Sequence, residues 1–149
     1  MSDFTIATNR RAWYEYEILE KLEAGLVLSG IEIKAVRAKK VNLAGSFVRL
    51  RYGPGNAQPE ATILNLHIGT GVQPTRTRQL LLHRHEINKL IGKLEEKRLT
   101  MIPLRFYLKR GLAKLELGLA RGKQLHSKRE SKRRKDIQRD IDRTLREKA

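Results

Sequence analysis

Apolar residues recur with two different periods along this chain. In "YEYEILEKLEAGLVLSG", Tyr14, Tyr16 and Ile18 share one alternating face, and Leu26, Val27 and Leu28 form a short apolar run ended by Gly30. That pattern predicts two strands with a bend near Ala24–Gly25. In "IEIKAVRAKK", Ile31 and Ala35 lie one helical turn apart, as do Glu32 and Val36, which predicts a short helix despite its β-branched residues. "SFVRLRY" and "ATILNLHI" alternate with period two. Val48 and Leu50 oppose Arg49 and Arg51, and Leu64, Leu66 and Ile68 oppose Asn65 and His67. The link "GPGNAQPE" supplies turn residues, so these two segments predict a hairpin.

A 3.6-residue period takes over in "HRHEINKLIGKLEEKR". Ile87, Leu90, Ile91 and Leu94 fall at i, i+3, i+4 and i+7, which predicts a helix with one apolar stripe. Gly92 inside it costs about 1 kcal/mol relative to Ala, so a bend or break is expected there. Two strong strands follow. Leu104, Phe106 and Leu108 alternate with Arg105, Tyr107 and Lys109; Leu115, Leu117 and Leu119 alternate with Lys114, Glu116 and Gly118; Gly111 marks the turn between them. About six strands, mostly antiparallel, with helices among them predict a mainly β fold. A small OB-like antiparallel β-barrel suits this count because closure removes exposed strand edges.

From residue 121 the pattern changes, which divides the chain into an expected barrel domain, 1–120, and a basic tail, 121–149. The tail carries twelve Lys or Arg and five Asp or Glu, a net of +7 out of +16 for all 149 residues. Only Ile137, Ile141 and Leu145 recur at helical spacing, too narrow a stripe to dock firmly on a core. The pair Asp142 and Arg146 at i, i+4 helps a helix slightly. The tail is expected to be disordered or fraying when free and helical when bound to a polyanion.

Charge then points to partners. A pI near 10.6 makes nucleic acid the first candidate and an anionic membrane surface the second. The narrow stripe of the tail is a poor membrane face. The absence of cysteine removes disulfide, thiolate-zinc and cysteine-nucleophile chemistry. No apolar run is long enough to cross a bilayer, and the first residues lack a signal-peptide layout, so a cytoplasmic location is expected.

Motifs for chemistry are weak. "GLARGK" has three residues between its glycines and Gln124 after the lysine, which does not make a phosphate loop. His83 and His85 have no cysteine or carboxylate at metal-ligand spacing, so no metal is expected. Acidic residues mostly neighbour Lys or Arg, as on an ordinary surface, and a nuclease using Glu32 or His67 is the weakest reading. By contrast, Arg10, Arg11, Lys34, Arg37, Lys39, Lys40, Arg76, Arg78 and Arg84 cluster in loops or beside turns. Their repetition across separate segments favours a phosphate-binding surface. Trp13, Tyr14 and Tyr16 beside Arg10 and Arg11 suit stacking on unpaired bases, although Trp13 and Tyr16 could equally cap the barrel.

The segments "NRRAWYEYEI", "EAGLVLSGIEIKAVRAKKVNL", "SFVRL", "RTRQLLLHRHEINKLIGKLEEK" and "IPLRFYLKRGLAKLELGLARGKQLHSKRE" resemble the SmpB (SsrA-binding protein) family from Asn9 to the end. The resemblance implies an OB-like six-stranded barrel and a non-enzymatic role without cofactor. It implies binding to the tRNA-like part of transfer-messenger RNA and its delivery, with elongation factor Tu, to stalled ribosomes for trans-translation. It also implies a tail that enters the vacant messenger channel near the decoding centre. By matching position, Asn9, Arg10, Arg11 and Tyr14 fall in the N-terminal RNA-binding element. Gly30, Glu32, Lys34 and Arg37 fall in the segment that faces the tRNA-like elbow, with Arg76 and Arg78 added as RNA-binding arginines. Arg121, Gly122, Lys123, Lys128, Arg129, Lys132, Arg133, Arg134 and Ile137 fall in the tail. This chain departs from the family pattern at Tyr14–Glu15, where many members have His-Asp, and at Ser127, where many have Asp. Its loop from Gly69 to Arg78 is also shorter. The competing reading is a basic ribosomal or RNA-chaperone protein that binds structured RNA generally.

Overall fold

The computed structural model describes residues 4–52, 59–69, 71, 73–123 and 125–148, with side chains of the last segment described for 132–143. The elements are β1 (Phe4–Thr8), α1 (Arg10–Glu15), β2 (Tyr16–Leu26), α2 (Gly30–Arg37), β3 (Val41–Asn42), β4 (Phe47–Tyr52), β5 (Pro59–Leu64), β6 (His67–Ile68), β7 (Arg78–Leu81), α3 (Arg84–Lys97), β8 (Thr100–Lys109), β9 (Leu112–Gly122) and α4 (Leu125–Lys148).

Seven strands share one sheet in the order β1-β8-β4-β5-β7-β2-β9, and β9 returns to pair with β8. The pairings are antiparallel. Six strands therefore close a ring, β8-β4-β5-β7-β2-β9, consistent with an OB-like fold. β4 meets β8 only at Val48 and Met101, and β1 takes over that edge of β8 from Arg105 to Leu108. The ring encloses a core that includes Ile63, Met101, Phe106, Leu115 and Leu117, all withdrawn from solvent. Burial of such side chains is the main favourable term in folding, about 1.5–3 kcal/mol each.

The strongest sequence patterns appear as read. Leu115, Leu117 and Leu119 are buried on one face of β9. Arg110 and Gly111, at φ of 53° and 77°, make the two-residue turn into it, the left-handed pair that matches strand twist. In α3, Ile87 and Leu90 are buried and Ile91 and Leu94 pack against the core. The helix runs on through Gly92 without the expected break.

Elsewhere the fold differs. β2 is one strand of eleven residues, not two with a bend. Its kink is a register shift between Ile18 and Glu20 opposite β9. Tyr14 belongs to α1, so it does not alternate with Tyr16 and Ile18. "ATILNLHI" is two strands, because Asn65 takes a left-handed φ of 62° and resets the phase. Ala61 and Ile63 face inward before it, and Leu66 and Ile68 after it. β6 then pairs with β3 in a separate two-stranded sheet. The expected β4–β5 hairpin has its strands paired from Phe47–Leu64 to Tyr52–Pro59; residues 53–58 of its loop lie outside the described residues. β9 extends through Gly122, so Arg121 and Gly122 pair with Glu17 and Tyr16 and belong to the sheet. The segment whose helical form was expected on binding is helical here as α4, with Ile137 and Ile141 about half exposed. Among the described residues no helix is long and apolar enough to cross a membrane.

Candidate nucleic-acid interface

The construction of α2 starts at Ser29. Its hydroxyl accepts from the Glu32 backbone N–H at 3.3 Å, and the Glu32 carboxylate accepts from the Ser29 N–H at 2.9 Å. This reciprocal cap satisfies two of the N–H groups a helix start leaves unpaired. The same carboxylate reaches across to the segment before β7. Its Oε1 accepts from Arg76 Nη2 at 2.5 Å, and its Oε2 accepts from Arg78 Nε. Arg78 has no solvent-exposed side-chain surface. It donates further to the carbonyls of Leu66 at 2.6 Å, Arg76 at 3.1 Å and Pro74 at 3.0 Å.

This node locks α2, the end of β5–β6 and the residues before β7 together. Burial opposes ionisation of Glu32, but the Ser29 N–H and the two guanidinium groups outweigh it and hold its carboxyl at about 2. Glu32 therefore neutralises Arg78 and helps to orient Arg76, and is itself largely buried. Glu32 and Arg78, both among the expected RNA-binding residues, are bonded to each other in the wall of the cleft described below, where Glu32 orients Arg76 and Arg78. Four of the five N–H donors of the Arg78 guanidinium are taken by protein oxygens, and its side chain has no exposed surface to offer a phosphate.

What remains outside is cationic. Gly30, Lys34 and Arg37 lie exposed along α2, followed by exposed Lys39 and Lys40. Among the described residues Lys34, Arg37 and Lys40 take part in no ion pair. The Lys40 carbonyl accepts from Gly69 N–H at 2.8 Å, which brings the next loop beside the helix. Gly69 sits at φ 75°, and a Cβ there would lie 3.2 Å from Ala35 Cβ, so the close approach favours glycine. A cleft of about 580 Å³ opens between α2 and this loop, with Lys34, Lys40 and the part-exposed Arg76 in its lining. In the sequence Lys40 stands only among the basic residues near turns; it lies beyond α2, and the left-handed Lys39 (φ 60°) with the Lys40 N–H donating to the Ala35 carbonyl at 3.0 Å returns it beside the helix.

A second patch is built on α1. Asn9 is buried, not presented to solvent. Its side chain caps α1 by accepting from Ala12 N–H at 3.2 Å, and it donates to the Pro103 carbonyl at 2.9 Å. Asn9 is thus the anchor of the element rather than its contact surface. Arg10 is exposed, and Arg11 is paired with Glu15 at 2.7 Å. The Lys135 ammonium of α4 lies 5.6 Å from the ring centre of half-buried Tyr14. Arg11 lines a different cleft, of about 340 Å³, so the α1 and α2 groups make two patches and not one.

Of the expected tail residues, Arg121 pairs with Glu17 at 3.2 Å on the sheet. Lys123 ties α1 to the strand end, its backbone N–H donating to Glu15 at 3.0 Å and its ammonium to the Trp13 carbonyl at 3.1 Å. Lys132, Arg133, Arg134 and Ile137 are exposed on α4. Lys128 and Arg129 fall within α4, but their side chains lie outside the described residues, as does that of Ser127. Among the described residues no cluster of His, Asp and Glu gathers where it could hold a metal ion.

Comparison with known proteins adds the family. A family model described as SmpB protein matches residues 6–147. The chain is similar to the SsrA-binding protein of Acaryochloris marina, 49% identical over 148 residues that cover 94% of this chain and 92% of that one. It is similar to the SsrA-binding protein of Sulfurihydrogenibium sp., 45% identical over 97% of this chain and 96% of that one. A chain of the solved structure "tmRNA-SmpB: a journey to the center of the bacterial ribosome" matches with a TM-score of 0.64 and 47% identity, covering 80% of this chain and 85% of that chain.

Proposed function

Because the chain belongs to the SmpB protein family, we propose that it binds the tRNA-like part of transfer-messenger RNA and brings it to stalled ribosomes for trans-translation. It acts by binding, without chemistry of its own, in the cytoplasm, and with elongation factor Tu on the same RNA. The observation that carries the reading is the α2 cleft. One buried acid absorbs the buried arginine, and among the described residues Lys34, Arg37 and Lys40 are left unpaired on a rigid face. A tRNA-like elbow offers phosphates and 2′-hydroxyls in a fixed shape, which such a face can match.

The two parts divide the work. Residues 1–120 with the end of β9 hold the RNA. The cationic segment, including Lys128, Arg129 and the exposed Lys132, Arg133 and Arg134, enters the messenger channel. Messenger and tail compete for one site there, so an empty channel is itself the signal. Tyr14, at the junction, keeps an aromatic plane where many relatives carry a titratable imidazole.

The test is the full chain with Lys34, Arg37 and Lys40 all changed to Ala, titrated against labelled tRNA-like fragment over a range of salt. Removing one cation that neutralises a phosphate flattens the slope of log K against log salt by about 0.9. The triple variant is expected to bind more weakly with a slope shallower by about 2–3. Unchanged affinity and slope would remove the α2 cleft from the interface.

A further inference from the structure

We propose that Trp13 is a stacking platform for an unpaired base of RNA, a contact that rests on the RNA-binding reading above and extends it to a residue outside the α2 cleft. The sequence leaves Trp13 and Tyr16 between two roles, stacking and capping the sheet. The structure separates them. Tyr16 is half-buried and packs against a small core of Ala12, Ile102, Leu104 and Ala120. Trp13 is 43% exposed and joins neither core cluster.

The surroundings of the indole suit a nucleobase. The Lys21 ammonium lies 4.8 Å from the ring centre, a cation–π distance. Arg10 stands three residues earlier on α1, on the same helical side, exposed and without an ion pair among the described residues. Lys123 holds the Trp13 carbonyl. A base placed on the ring face opposite Lys21 would thus lie beside Arg10, whose guanidinium can meet a flanking phosphate. An apolar protein partner would have to desolvate those same charges without a counter-ion, which disfavours it.

The platform is also rigid, which lowers the entropy cost of binding. Asn9 N–H donates to the Leu104 carbonyl at 2.8 Å, and its side chain donates to Pro103, fixing one end of α1. Lys123 N–H bonding to Glu15 fixes the other. Buried Ala12 seats the helix between them.

An unpaired base of this kind can come from the tRNA-like fragment or from the small ribosomal subunit, and the experiment separates the two. Trp13 is the only tryptophan in the chain, so against the RNA fragment intrinsic fluorescence reports it alone, and against ribosomal subunits it is read as the difference between wild type and Trp13→Phe. Wild type, Trp13→Phe and Trp13→Leu are compared as full chains. Each is titrated with labelled tRNA-like fragment, followed by anisotropy, and with small ribosomal subunits, followed by co-sedimentation.

In the arm that supplies the base, wild-type fluorescence changes in step with binding. Trp13→Leu then weakens binding in that arm by between about 5-fold and about 150-fold, and Trp13→Phe recovers most of the loss. Binding in both arms with unchanged fluorescence overturns stacking, even if Trp13→Leu binds less well, because the residue then acts only through structure. Equal affinity of Trp13→Leu and wild type in both arms overturns it as well. If wild type binds neither RNA, the RNA-binding reading fails first and stacking falls with it.

Discussion

Changing Glu32 to Gln removes one negative charge from the centre of the node and leaves Arg78 buried without its counter-ion. Two routes give the magnitude. A carboxyl brought from 4.5 in the unfolded chain to about 2 in the folded one contributes about 3 kcal/mol at neutral pH. Removing one partner of a buried ion pair costs about 3–5 kcal/mol. The two agree, and the loss is a large part of a typical domain stability of about 5–15 kcal/mol. The sign in pH follows from the lowered carboxyl. Its contribution is complete above 4.5 and fades as pH falls toward 2. Urea unfolding of wild type and Glu32→Gln at pH 7 and pH 3 checks both statements. At pH 7 the variant is expected to lose about 3 kcal/mol, which lowers the midpoint by about 1–3 M. At pH 3 the difference shrinks to about 1 kcal/mol. A difference under about 1 kcal/mol at pH 7, or one of equal size at both pH values, would refute the clamp.

Other expectations follow from the same geometry. A Cβ at Gly118 would lie 2.9 Å from Leu104 Cδ1 and 3.2 Å from Ile18 Cγ2. Gly118→Ala is therefore expected to cost about 1–3 kcal/mol by overpacking, read from the urea midpoint; an unchanged midpoint would mean that Leu104 moves aside freely. Ending the chain after Lys123 keeps β9 and the ties to α1, so affinity for the tRNA-like fragment should remain within a few-fold, about 1 kcal/mol or less. The same truncation should abolish rescue of stalled ribosomes in a reconstituted translation system, and rescue at the full-length rate would contradict the role given to the tail.

Much of the fold is legible in the sequence where one face is buried over a long stretch. β9 and α3 carry their leucines and isoleucines at strict period, because each presents one side to the core. The short elements are not legible. α1 has six residues, under two turns, and depends on Asn9 bonding to Pro103, 94 residues away. β3 and β6 have two residues each and exist only by pairing with each other. Asn65 looks like one more polar position in an alternating strand until its backbone turns left-handed.

The site follows the same rule. The one-turn spacing of Lys34 and Arg37 on α2 is visible in the chain, whereas Lys40 reaches the cleft beside Lys34 only through the left-handed Lys39 beyond the helix end. Charge alone groups Arg78 with the surface arginines, but its phase points the other way. In β7 it shares a side with buried Leu80, while Gln79 and Leu81 face out. A cation can take a core-facing position only with a partner, and Glu32 is 46 residues away. Trp13 is ambiguous in the sequence because one aromatic beside cations looks alike whether it caps a sheet or faces solvent.

The proposed function requires that the α2 face distinguish the tRNA-like part of transfer-messenger RNA from ordinary tRNA, and not bind by charge alone. The most direct measurement is competition at near-physiological salt, with labelled tRNA-like fragment of transfer-messenger RNA bound to the full chain and excess ordinary tRNA added. The fragment is expected to stay bound, because contacts particular to it persist where the phosphate attraction of the two RNAs is equal. Equal displacement by ordinary tRNA would contradict it and leave a general RNA-binding protein in its place.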